Sequence, residues 1–199
     1  MNPNSKEGNS YSWPFKLDKI NDYAYWDNFL SPEECNEIVK ISTTKTLLEA
    51  KIYGKGVKKD TRQSSICWLA PSDGLHWLYE RLTRVITSLN NQFFNFDLLG
   101  IQEGIQFTNY KGKGDHFHYH MDRSYDCIIR KLSITIQLTD PKDYKGGELE
   151  LKIAKEPKTM KKDQGRLVAF PSYVLHQVKP VTEGERNSLV VWINGPQFK

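Results

Sequence analysis

Cysteine is scarce and poorly placed for cross-linking: Cys35, Cys67 and Cys127 are the only three in 199 residues. They are odd in number, far apart and never in a Cys-x-x-Cys pair. That excludes a disulfide framework and a zinc ribbon, and favours a reducing compartment. No apolar run is long enough to span a bilayer, and the polar first ten residues lack a hydrophobic signal core. The expected location is therefore cytoplasmic, with no membrane partner. An excess of one charge is lacking too, since 28 Lys and Arg face 24 Asp and Glu, leaving +4. The lysines lie in patches rather than in one basic run, which permits an acidic partner without calling for nucleic acid. The Gly54-x-Gly56 pair has no strand-turn-helix frame around it and is not a dinucleotide fingerprint. The length fits one domain over residues 1–199, large enough to bury a core, and defines no oligomeric state.

What is present is histidine in one place. Three of the five histidines and two carboxylates fall in Asp115-His116-Phe117-His118-Tyr119-His120-Met121-Asp122. If this stretch is a strand, period-two alternation puts His116, His118, His120 and Asp122 on one face. The informative part is His120-x-Asp122, an imidazole and a carboxylate that need one further histidine to make a two-histidine, one-carboxylate facial triad. That geometry leaves metal positions open and suits non-haem Fe(II). His176 is the downstream candidate. An isolated His-x-Asp pair is more often ordinary polar surface, so its surroundings must decide.

Residues 1–15 are polar and read as a loose N-terminal segment. Ser31-Pro32-Glu33-Glu34 is a capping box with proline at the first helical position, so a helix is expected over about 32–42, with Cys35, Ile38, Val39 and Ile41 toward the core. Residues 51–60, with two glycines and four lysines, read as a mobile basic loop able to serve as a lid. Residues 62–69 read as one strand. Ser72 or Asp73 then caps a second helix to about Asn90, with Leu75, Leu78, Leu82, Val85, Ile86 and Leu89 as its apolar stripe. From about residue 93 strands alternate with turn signals, among them a half-buried strand over 131–138, a lysine-rich loop over 154–163, and a chain-reversing turn at Thr182-Glu183-Gly184-Glu185 before a last strand over 188–193. The fold class is α+β, mainly β: a jelly-roll core over about 93–198 with supporting N-terminal helices.

His176 and Arg186 lie on either side of that turn, so a metal ligand and a cation come together. An Fe(II) oxygenase has a chemical use for both. 2-Oxoglutarate chelates the metal through its 1-carboxylate and 2-oxo groups, while its 5-carboxylate needs a fixed positive partner. Arginine suits that role by bidentate, permanently charged pairing.

The residues in fact resemble the Fe(II)- and 2-oxoglutarate-dependent oxygenases of the prolyl 4-hydroxylase type. Tyr110, Gly114, Phe117, His120 and Asp122 resemble that family's Tyr, Gly, aromatic, His-x-Asp sequence. So do Tyr144-x-Gly146-Gly147-Glu148-Leu149, the Phe170-Pro171-Ser172 bend before His176, Arg186 ten residues after it, and Trp192 six beyond. The resemblance spans about residues 29–198 and implies a double-stranded β-helix. It implies His120, Asp122 and His176 as iron ligands, Arg186 for the 5-carboxylate, and Tyr110 with Thr135 lining the cosubstrate pocket. Fe(II), 2-oxoglutarate and O2 are the implied cofactors, with ascorbate as reductant. Arg186 stands where collagen-type members often have lysine, which places the chain nearer oxygen-sensing and microbial prolyl hydroxylases.

The implied activity is hydroxylation of prolyl residues in a peptide or protein, with release of succinate and CO2. Arg62, Arg123, His118 and Trp192 are candidate substrate residues, although exposed salt-bridging is an equal explanation for the two arginines. His116 and His118 have no place in the triad and read as entrance residues or residues behind the ligands. Free proline, another amino-acid side chain or a nucleic-acid base are alternative substrates. Trp192 occupies the position where base-repairing relatives carry a second arginine, which disfavours nucleic acid. A metal-binding cupin would need a glutamate shortly after His120, and the next one is Glu148. A non-catalytic peptide-binding module would be expected to have lost a ligand or the arginine, and none is missing.

Overall fold

In the computed structural model, residues 21–50, 60–123 and 129–197 are described. The expected loose segment at 1–15 and residues 51–59 of the expected lid lie outside them. The first elements among the described residues are β1 (Ala24–Trp26) and α1 (Pro32–Thr43). The capping box at α1 is reciprocal: Glu34 N–H donates to Ser31 Oγ at 3.2 Å and Ser31 N–H donates to Glu34 Oε2 at 2.9 Å. This satisfies amides that the helix itself leaves orphaned. Glu34 also accepts a two-pronged pair from Arg81 at 2.7 Å in each prong, which ties this helix to the next.

After β2 (Leu48–Glu49), the region expected to be one strand over 62–69 is two: β3 (Arg62–Gln63) and β4 (Ser65–Leu69). They are split at Ser64 because they pair in different sheets. The second helix starts later than expected. Asp73 accepts the Ala70 N–H at 2.7 Å within a short 3-10 turn, left-handed Gly74 follows, and α2 (His76–Leu89) then begins. It continues past Asn90 as a π-type turn to Phe94. Leu78, Leu82, Ile86 and Leu89 are its buried stripe.

The remaining strands are β5 (Ile105–Lys111), β6 (His116–His120), β7 (Arg130–Gln137), β8 (Tyr144–Gly146), β9 (Leu149–Leu151), β10 (Lys158–Thr159), β11 (Leu167–Pro171), β12 (His176–Val178) and β13 (Val181–Asn194). An eight-stranded sheet runs β1-β11-β7-β13-β5-β4-β2, with β8 also paired to β13; a five-stranded sheet runs β10-β9-β12-β6-β3. All pairings are antiparallel, the arrangement of a double-stranded β-helix. The expected turn at 182–185 does not reverse the chain. Those residues belong to β13, where Gly184 takes φ of 70° as pairing passes from β8 to β5. The lysine-rich 154–163 region is likewise not all loop, since β10 within it pairs β9.

Two apolar clusters result. The larger joins α1 and α2 to one face of the eight-stranded sheet, through residues such as Ile38, Leu82, Phe107, Ile136 and Leu189. The smaller lies between the sheets and includes Tyr110, Leu149, Val168, Phe170 and Val178. Strand β7, expected to be half-buried, is buried on both faces. Its Ser133, Thr135 and Gln137 point not to solvent but to the space between the sheets, which is where the site lies. Among the described residues no helix is long and apolar enough to cross a membrane.

Candidate metal and cosubstrate site

The inter-sheet space contains a cavity lined by His120, Asp122 and His176 at one place and by Arg186, Tyr110, Thr135, Arg62 and Trp192 elsewhere. His120 ends β6 and His176 begins β12, and the two are cross-strand partners. Asp122 follows on a segment pinned to the next bend, because the N–H groups of Asp122 and Arg123 both donate to the Ser172 carbonyl at 3.0 Å. One ligand atom from each of His120, Asp122 and His176 falls within 4.8 Å of the others. Asp122 Oδ1 is 3.6 Å from His120 Nε2, and its Oδ2 is 3.5 Å from His176 Nε2.

The hydrogen bonds around these groups suit a cation. His120 Nδ1 donates to the His118 carbonyl at 2.8 Å and His176 Nδ1 donates to the Val174 carbonyl at 2.9 Å. A carbonyl can only accept, so Nδ1 carries a proton in both rings and each Nε2 is the atom that faces the carboxylate. Ser133 Oγ donates to Asp122 Oδ2 at 2.7 Å and contacts Ser172 Oγ at 3.0 Å. Burial opposes ionisation of Asp122, yet His176, His120 and Ser133 together hold its pKa well below the usual carboxylate range. Burial pushes His176 down to about 4, against the pull of Asp122, so its imidazole is neutral at physiological pH. Two imidazoles and one carboxylate are the donor set that a divalent transition metal takes.

Of the cationic residues in the same lining, Arg186 is 1% exposed and Arg62 8%. Among the described residues neither has a carboxylate partner. Arg186 donates to Ser188 Oγ at 3.1 Å and sits 5.3 Å from the Tyr110 ring centre. Arg62 donates to Ser64 Oγ and Gln106 Oε1, lies over the Phe117 ring, and has its pKa lowered by burial. Burial likewise raises the Tyr110 phenol, in spite of both arginines. Buried cations are normally paired, so two unneutralised guanidiniums around one cavity mark it as a receptor for anionic ligands.

The expected shared face of His116, His118, His120 and Asp122 does not form. From Val178 to His176 β12 advances two residues while β6 advances three, from Phe117 to His120. This bulge shifts the alternation, so Phe117 stacks on His120 with ring centres 3.4 Å apart. His118 is exposed and pairs with His116 at 4.3 Å. Neither it nor Arg123 lines the cavity. Ser133 and Gln106 are members of the site that the sequence pattern does not single out. Ser133 is legible in retrospect, because it lies two residues before Thr135 on the same polar face of β7.

The fold and the donor set have counterparts among known proteins. Residues 105–194 match the family model of the 2OG-Fe(II) oxygenase superfamily. The chain is 38% identical over 91 residues to a PKHD-type hydroxylase of Prochlorococcus marinus, covering 45% of this chain and 41% of the relative. It is 40% identical over 92 residues to a PKHD-type hydroxylase of Shewanella baltica, covering 44% and 41%. The matched region thus spans about two fifths of these relatives' length. The fold is similar to that of a Trichoplax adhaerens prolyl hydroxylase in complex with a hypoxia inducible factor peptide fragment (TM-score 0.75, 19% identity, 87% of this chain and 84% of that one). It is also similar to a Pseudomonas putida prolyl-4-hydroxylase (TM-score 0.71, 22% identity, 88% and 94%). At these identities the structural likeness is one of fold.

Proposed function

We propose that this chain is an Fe(II)- and 2-oxoglutarate-dependent dioxygenase that hydroxylates prolyl residues in a peptide or protein, releasing succinate and CO2. The observation that carries the reading is one cavity lined both by a two-imidazole, one-carboxylate cluster and by the unneutralised Arg186. When bound, Fe(II) and 2-oxoglutarate supply the O2-driven oxidation that places one oxygen atom in the substrate. His120, Asp122 and His176 would hold the metal, and Ser133 keeps the Asp122 carboxylate turned toward it. Arg186 would pair with the distal carboxylate of the cosubstrate, with Tyr110 and Thr135 lining that pocket. Leu149, Phe170 and Val178 make the walls apolar, which excludes water and strengthens the charge pairing within.

A peptide substrate is supported by the Trichoplax neighbour, which is described in complex with a peptide, and by Trp192 and Arg62 in the cavity lining. A second reading, free proline or another free amino acid, draws on the same Arg62, because a buried guanidinium without a carboxylate partner also suits a free α-carboxylate. The deciding experiment incubates the chain with Fe(II), ascorbate and 2-oxoglutarate, offering proline-rich peptides or free proline, and reads succinate and a one-oxygen mass gain. Mass gain on a peptide is the expected result. Turnover of free proline with no gain on any peptide would sink the peptidyl assignment.

A further inference from the structure

The cosubstrate pocket assigned above ends on Arg186, and the hydrogen bond to Ser188 in the cavity lining leaves the rest of that guanidinium unaccounted for. One terminal nitrogen donates to Ser188 Oγ, but the buried Nε–H has no hydrogen-bond partner among the described residues. Two-pronged recognition of a carboxylate depends on the orientation of the guanidinium plane, so whatever fixes that plane sets affinity. Behind the arginine, outside the cavity lining, is Tyr144 of β8. It is 3% exposed, and its hydroxyl is also buried without a partner.

The two side chains meet at Gly147. A Cβ placed there would come within 2.8 Å of Arg186 Cδ, 2.9 Å of Val181 Cγ2 and 3.3 Å of Tyr144 Cε2. Glycine at this point, with φ of 67°, lets the arginine stem and the phenol ring share one space. The ring is itself fixed, since Lys162 Nζ lies 4.4 Å from its centre and is held by the Gly146 carbonyl at 3.0 Å and Glu148 at 3.7 Å. Burial pushes the Tyr144 phenol up while the charge of Arg186 pulls it back, as expected of neighbours. A guanidinium can only donate and a phenol can accept, so the two orphaned groups are complementary.

We infer that Tyr144 is a positioning residue for the cosubstrate clamp: its hydroxyl accepts a hydrogen bond from Arg186 and fixes the guanidinium plane for a distal carboxylate. The inference rests on the oxygenase reading of the site. Its test is calorimetric titration of the Mn2+-loaded chain, without O2, with 2-oxoglutarate and with pyruvate, which keeps the chelating groups but lacks the distal carboxylate. Tyr144→Phe should bind 2-oxoglutarate about tenfold more weakly, the loss expected for one hydrogen bond to a charged group. Its Mn2+ affinity and pyruvate affinity should stay those of the unaltered chain. An unchanged 2-oxoglutarate affinity, or an equal loss for pyruvate, overturns the inference while the oxygenase reading stands. An unaltered chain that binds no 2-oxoglutarate refutes both.

Discussion

The two faces of the eight-stranded sheet are buried to a similar degree and differ in chemistry. Toward the helices, β5, β7 and β13 present Phe107, Ile134, Ile136, Leu189 and Val191. Toward the smaller sheet the same strands present Gln106, Tyr110, Ser133, Thr135, Arg186 and Ser188. An apolar buried face needs only close packing. A polar one must find partners inside, and here two atoms find none among the described residues, Gln137 Oε1 and Trp192 Nε1. Each orphan costs stability, so the inward face is shaped for ligands at the expense of the fold while the outward face holds the fold together.

That contrast predicts separable losses. Asp122→Ala should abolish divalent-metal binding and 2-oxoglutarate turnover, measured by metal content and succinate, with cooperative unfolding retained. Ile136→Ala, on the helix-facing side of β7 and 0% exposed, should cost about 2–5 kcal/mol of unfolding free energy through the cavity it leaves. The folded fraction of that variant should still bind metal normally. Denaturant titration beside a metal titration reads both effects, and an Asp122→Ala chain that cannot fold would erase the distinction.

A smaller effect is expected behind the ligands. Ser133→Ala removes the 2.7 Å donor to Asp122 Oδ2 and should weaken metal binding by about 10–100-fold, the usual size for a group that orients a ligating carboxylate. Competition against a chelator of known affinity measures it. An unchanged affinity would mean that the Asp122 segment is held by the Ser172 backbone alone.

Acid should expose the same face. His176 has a folded-state pKa of about 4 against an ordinary 6.5 because burial disfavours its charge. Between those values the unfolded chain binds the extra proton and the native chain does not, so metal-free stability falls as pH drops from about 6.5 to about 4. Asp122, also depressed, adds loss in the same direction at lower pH. Melting temperature against pH should therefore slope downward over that window, and His176→Gln should flatten it. An equally steep slope in the variant would place the effect elsewhere.

Legibility in the sequence follows the range of the interaction. The α1 capping box is local chemistry within Ser31–Glu34, and it is readable as such. The grouping of His120, Asp122 and His176, and of Arg186 with them, is readable because these residue types are rare and their spacing is tied to strand ends. What the sequence conceals is decided by distant partners. Ser64 breaks a strand only because its two sides join different sheets. Gly184 has turn chemistry, yet long pairing with β8 and β5 keeps it within β13. The polar residues of β7 alternate as a solvent face would, and only the presence of a second sheet above them turns that face inward. Ser133 escapes notice for that reason, although Thr135 beside it does not.

The smallest effect concerns the histidines that stand out most in the sequence. Plain alternation would set His118 beside His120, and both beside Asp122. The extra residue in β6 between Phe117 and His120 gives that place to Phe117 and sends His118 outward to pair with His116. A bulge of this kind redirects side chains without changing their order in the chain. His118→Ala keeps its backbone carbonyl, which is the atom His120 Nδ1 uses, so metal affinity should change by less than about twofold. Phe117→Ala strips the ring stacked on His120 and should weaken binding measurably more. If His118→Ala proved the more damaging of the two in the same metal titration, the register of β6 would have to be the regular one, and the cluster would need a different set of ligands.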